Sequence, residues 1–174
     1  IGHGTRLYVL DCEAYYNGKD VAPQAKNYPT AVHFPNGILV SADAIDCIVR
    51  GNYVHDNYNG SAIIDELSLG VHSNGVIIEG NHIDTSIGAT NPIQVEGINT
   101  TVRNNWIVTG SGTGIILSNT PTNVYIYHNT IISPDGAGHS IDCTNQAMTT
   151  CKVKNNVIVR AGSTNRYINV AANS

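Results

Sequence analysis

The sequence predicts an all-β fold, a single-stranded parallel β-helix of about six coils with three short strands each, and three observations carry that reading. A phrase of eight residues (apolar or small, any, apolar, two polar, Asn, any, apolar) recurs five times. Its asparagines, Asn52, Asn81, Asn105, Asn129 and Asn156, lie 29, 24, 24 and 27 residues apart, a period that belongs to solenoids. On either side of each Asn the apolar residues alternate, so two short strands meet at a bend.

The first coil is the weakest copy: Leu7-Tyr8-Val9-Leu10-Asp11-Cys12 puts Cys12 where the asparagine stands in the others. The second runs from Cys47 to Val54, the third from Val76 to Ile83, the fourth from Thr100 to Ile107, the fifth from Val124 to Ile131 and the sixth from Cys151 to Ile158. Inward positions before the bend are Val49, Ile78, Val102, Ile126 and Val153; after it they are Val54, Ile83, Ile107, Ile131 and Ile158. A third strand follows most copies after a Gly-rich stretch, at Ile38 and Val40, Ile93 and Val95, Ile115 and Leu117, Ile141 and Cys143, and Ile168 and Val170. Strands stacked about 4.8 Å apart bring one Asn per coil into line. Each amide then donates to the next amide and to the turn backbone, so a bend that would strand buried polar groups is satisfied.

This repeat resembles the right-handed parallel β-helix proteins of the pectate lyase type, which carry such Asn ladders at their second turn. Handedness is implied by that resemblance and by the general preference of parallel crossovers. The resemblance also implies a theme, an extended acidic polysaccharide lying along the helix, shared by polysaccharide lyases, glycoside hydrolases, uronate epimerases and phage tailspike depolymerases. No catalytic signature such as the epimerase DPHE motif is present, so no catalytic role is carried over.

Composition fits one elongated domain over residues 1–174. Only 13% of the side chains are charged, the net charge is -4, and nine Lys and Arg form no basic stripe, which argues against a nucleic-acid surface. No apolar run is long enough to span a membrane. No signal peptide and no initiating Met are seen, and the chain enters and leaves the repeat without evident caps. A segment of a longer polypeptide is expected, or stacking as a homo-oligomer, trimer or filament. The four cysteines sit mostly inward as small buried thiols; Cys143 and Cys151 flank one turn and are the one pair that a bridge would suit. Asn59-Gly60-Ser61 and Asn99-Thr100-Thr101 match the glycosylation sequon, a triplet frequent by chance in such a composition.

Function falls to outward positions and loops. One residue past the third strand the column is expected to run Ser41, Asp65, Glu96, Ser118 and Thr144, with Glu66 and Asp142 on or near the same face. Asp65 and Glu96 on consecutive coils would be about 5 Å apart, a separation suited to a glycosidase acid and base or to a cation, calcium held by Asp65, Glu66 and Glu96 being the expected one. The same column also reads as a solvated acidic strip. Insertions in the first two coils bring Lys26, His33 and His55, candidate bases for a lyase that abstracts the proton beside a uronate carboxyl. A second column holds Tyr53, His82, Trp106 and Thr130, an aromatic strip suited to sugar rings or a partner subunit, and with Asp142 it is the expected substrate surface. Arg50, Glu79 and Arg103 form a charge ladder. His82 and Asp84 share a strand face, too few ligands for a transition metal. There is no phosphate loop, no GxSxG elbow and no paired CxxC.

The expectation is therefore an extracellular protein, secreted or displayed on a cell or virion surface, that binds an acidic polysaccharide, with cleavage by a lyase or hydrolase reaction left open. Its rival is a non-catalytic structural or adhesive segment of a fibre, tailspike or filament.

Overall fold

The computed structural model describes residues 4–15, 17, 36–57, 60–68, 70–87, 91–134, 137–144, 150–162 and 165–170. Every regular element among them is a β-strand, and the chain is a parallel β-solenoid built from three sheets of six strands each. The first sheet stacks Tyr8–Leu10, Ile48–Arg50, Ile77–Glu79, Thr101–Arg103, Val124–Tyr127 and Cys151–Lys154. The second, past the Asn bend, stacks Glu13–Tyr15, Tyr53–His55, His82–Asp84, Trp106–Val108, Thr130–Ser133 and Val157–Arg160. The third stacks Ile38–Val40, Ser61–Asp65, Asn91–Val95, Ile115–Leu117, Ile141–Cys143 and Ile168–Val170. An antiparallel hairpin of Leu67–Ser68 with Val71–His72 leaves the solenoid between the third strand of the second rung and the next Asn phrase.

The expectation of about six coils needs refining. Six rungs stack, but the interior is less enclosed at both ends: Val9 and Ala14 on the first rung and Val153 and Ile158 on the last are half-buried, while Val40, on the first rung's third strand, is already fully buried. Between them the core is a single column of Val40, Val49, Val54, Ile78, Ile83, Ile93, Val102, Ile107, Ile115, Ile126, Ile131 and Ile141. β-Branched side chains dominate because they pack well on a pleated surface and lose little rotamer freedom there.

The Asn ladder forms as expected. Each side-chain amide donates to the next coil's Asn Oδ1, from Asn52 to Asn81, Asn105, Asn129 and Asn156 in turn, at 2.9, 3.0, 2.9 and 3.0 Å. Each also donates to a strand carbonyl of the preceding coil, Val9, Val49, Ile78, Val102 and Ile126. Cys12 occupies the ladder position of the first rung, where its backbone N–H donates to Asn52 Oδ1 at 2.9 Å. The residue before each ladder position, Asp11, Gly51, Gly80, Asn104, His128 and Asn155, has a positive φ between 51° and 69°. Gly, Asn and Asp tolerate that left-handed bend, and one of them stands at five of the six positions, His128 being the exception.

Arg50, Glu79 and Arg103 also stack as expected. Glu79, buried, accepts from Arg50 Nε at 2.5 Å and from Arg103 Nε at 2.6 Å, and Arg103 Nη1 donates to Tyr127 Oη at 3.0 Å. Burial pushes the Glu79 carboxyl up, but the hydrogen bonds and charges of Arg103 and then Arg50 outweigh it and hold it below the usual carboxylate range. Its contribution is thus present above the ordinary carboxylate pKa and is lost as pH falls through the depressed one. Glu79→Ala is expected to cost about 1–2 kcal/mol, the arginines being partly solvated, and less in high salt; urea midpoints at two ionic strengths measure it.

In the third sheet the register departs from expectation. Asp65 pairs with Val40 and Val95, on the inward column, and not with Ser41 and Glu96. The cause is local: Ala62-Ile63-Ile64 is an unbroken apolar run, all three residues are buried, and alternation fixes no face there.

Candidate functional site

The outer face of the second sheet gathers the exposed rings. Two outward columns run along it, Glu13, Tyr53, His82, Trp106, Thr130 and Val157, and beside them Tyr15, His55, Asp84, Val108, Ile132 and Val159. Tyr53, His82 and Trp106 therefore stand on consecutive rungs, as the repeat implied. Four rings touch in series: Tyr15 stacks on His55 with centroids 5.3 Å apart, His55 on Tyr53 at 4.2 Å, and Tyr53 meets His82 at 4.9 Å. Tyr15, Tyr53 and Trp106 are 49%, 39% and 48% exposed, far above what ring burial in a core would give.

Carboxylates flank the rings. His55 Nδ1 lies 3.0 Å from Asp56 Oδ2 and Nε2 lies 3.0 Å from Glu13 Oε1. Burial disfavours the His55 cation, yet the hydrogen bonds and charges of Asp56 and Glu13 prevail and raise its pKa above the ordinary histidine value. Asp56 reaches its partner because it takes a positive φ of 49° just past the strand, and Asn57 behind it is fully buried, donating to Ala14 O at 3.1 Å and accepting from Asn17. Asp84 is half-buried on the adjacent rung and accepts from the Ser86 backbone N–H. The face thus offers flat apolar rings bordered by acceptors, the combination that grips a ring's C–H face while orienting its hydroxyls.

The other expected residues lie elsewhere. Asp65 is inside the solenoid and 0% exposed: Ser73 Oγ and Thr100 Oγ1 donate to its two oxygens, the latter at 2.5 Å, and the Gly97 backbone adds a further bond. Burial raises its pKa to about 6 against those hydrogen bonds, and the nearby Glu96 charge adds to the rise. A Cβ at Gly97 would sit 2.4 Å from Asp65 Oδ2, so the niche requires glycine there. Glu96 does follow the outward column, but it is only 4% exposed and its Oε1 accepts from Gln94 Nε2 at 2.5 Å and Ser118 Oγ at 3.1 Å. Asp65 and Glu96 therefore do not form an outward pair; the acid that follows Asp65 on that side is Glu66, half-buried.

His55 stands on the second sheet, away from Glu96, with both ring nitrogens engaged, so it is not the open base expected beside those carboxylates. Asp142 lies on the outer face of the third sheet, bonded to Thr144 and Asn169, apart from the aromatic strip. Lys26 and His33 lie outside the described residues. Among the described residues no three His, Cys, Asp or Glu side chains converge as a metal cage, and Asp65, Glu66 and Glu96 do not make the expected calcium site. Glu13 and Tyr15 are additions to the site. Their signal is the alternation Glu13-Ala14-Tyr15 after Cys12, which mirrors Tyr53-Val54-His55 after Asn52.

No helix among the described residues is long and apolar enough to cross a membrane. No protein-family model, no curated protein and no solved structure matches the chain.

Proposed function

We propose that the chain is an extracellular carbohydrate-binding β-solenoid whose second sheet holds a polysaccharide along the strip Tyr15, Tyr53, His82 and Trp106. The observation that carries this reading is the run of exposed rings on successive rungs, bordered by Glu13, Asp56 and Asp84 as acceptors for sugar hydroxyls. The likeness of the Asn ladder to that of pectate-lyase-type β-helices points the same way. The carboxylates of the strip and the net charge of -4 favour a neutral or weakly charged glycan over a densely acidic one.

Trp106 is the only tryptophan and stands in the strip, so its fluorescence reports the event. Titration with a panel of neutral and acidic oligosaccharides, with and without calcium, is expected to shift its emission to the blue with saturation. Tyr53→Ala is expected to weaken binding about tenfold, the equivalent of about 1.4 kcal/mol of lost stacking. Silence across the panel overturns the proposal. A second reading, protein contact in a fibre or adhesive assembly, is favoured by one observation: the same face turns aliphatic on its last rungs, where Val157 and Val159 are exposed beside Ile132. Concentration-dependent association that Val159→Glu abolishes would select it.

A further inference from the structure

We infer that Cys143 and Cys151 form a modification site, a dithiol that is converted to an internal disulfide by a small oxidised disulfide such as oxidised glutathione. All four cysteines are free thiols, but these two Sγ atoms are only 3.6 Å apart, whereas Cys12 is exposed on the ladder's first position and Cys47 is buried in the core. Cys143 ends the third strand of the fifth rung and Cys151 begins the first strand of the sixth, eight residues on. Bond formation requires the two sulfurs to close from 3.6 Å to the bond length of about 2 Å.

The two sulfurs are not equivalent. Cys143 is 2% exposed while Cys151 is half-buried on the last, less enclosed rung. The hydrogen bond between them, with burial of Cys143 adding to it, raises the Cys143 thiol and lowers that of Cys151 despite the latter's burial, so Cys143 keeps the proton and Cys151 is the nucleophile. The balance follows. Cys151 thiolate attacks one sulfur of the small disulfide and releases one thiolate, giving a mixed disulfide. Cys143 then loses its proton to solvent or to the departing thiolate, attacks Cys151 Sγ and releases the second thiol. Two protein thiols are oxidised and one small disulfide is reduced to two thiols. The bond staples the half-open last rung to the enclosed rungs beneath it.

The test uses the full chain with Cys12→Ser, which removes the exposed thiol. After exposure to oxidised glutathione and acid quenching, thiols counted in denaturant are expected to fall from three to one. Intact mass should fall by two hydrogens, peptide mapping should place the bond at Cys143–Cys151, and amide exchange across Cys151–Lys154 should slow. Adding Cys143→Ser should leave a stable glutathione adduct on Cys151, while Cys151→Ser should leave Cys143 unmodified. Three persisting thiols, or an adduct without the internal bond in the Cys12→Ser chain, overturns the inference. An adduct that accumulates equally on Cys143 overturns the assigned order of attack.

Discussion

Asn105→Ala is expected to cost about 3–5 kcal/mol, because the substitution strands several buried groups at once. Asn105 Oδ1 accepts from both the backbone N–H and the side-chain amide of Asn81 at 3.0 Å, and its own amide donates to Ile78 O at 3.0 Å and Asn129 Oδ1 at 2.9 Å. All of these lie where water does not reach. Asn156 at the last rung accepts the same pair of bonds from Asn129 and donates to Ile126 O and Lys154 O, yet it is half-buried, so water replaces what Ala removes and the expected cost is about 1 kcal/mol. Urea unfolding of the two variants beside the wild type decides the matter: equal shifts in midpoint would show that the ladder does not act through buried, unsatisfied groups.

The second large effect concerns pH. Asp65 ionises near 6 in the folded chain against 3.8 in the unfolded one. Between those values the folded state binds more protons than the unfolded state, so stability falls as pH rises, by on the order of 3 kcal/mol in all, and levels off above the folded value. Asp65→Asn keeps a carbonyl oxygen for one hydroxyl, and Ser73 or Thr100 can turn to accept from the new amide. The variant is expected to lose this slope and to exceed the wild type above pH 6 by about 1–3 kcal/mol. Denaturation at pH 4.5 and pH 7.5 tests both points, and a variant with the wild-type slope would assign the pH dependence to another group.

The ladder was legible in the chain because each Asn is accompanied by the conditions that need it: a left-handed residue before it and an inward β-branched residue two places beyond. The aromatic strip was legible for the same reason, since it lies within the repeated phrase and shares its register. The acidic site was not. Ala62-Ile63-Ile64 offers no alternation, so the pattern leaves Asp65 free to face either way, and the default of placing charge outward fails. Its true setting is written elsewhere in the chain: Ser73 and Thr100 donate to the Asp65 carboxylate, and Gly97 makes room for it. Read singly they are noise; only folding shows that they are one niche. His55 misled for a different reason, since the Glu13 that occupies its second nitrogen comes from a coil 42 residues away whose ladder position is Cys12.

Every Asn-to-Asn ladder bond joins equivalent residues on successive coils, and this turns the second sheet into a ruler. Residues in one outward column are held about 4.8 Å apart per rung, so Glu13 and Val157, five rungs apart, are separated by about 24 Å irrespective of the side chains between them. A ligand that touches both Tyr53 and Trp106 must therefore repeat at about 10 Å or at a fraction of it. Under the proposed reading, periodicity would select a ligand on this face before chemistry does.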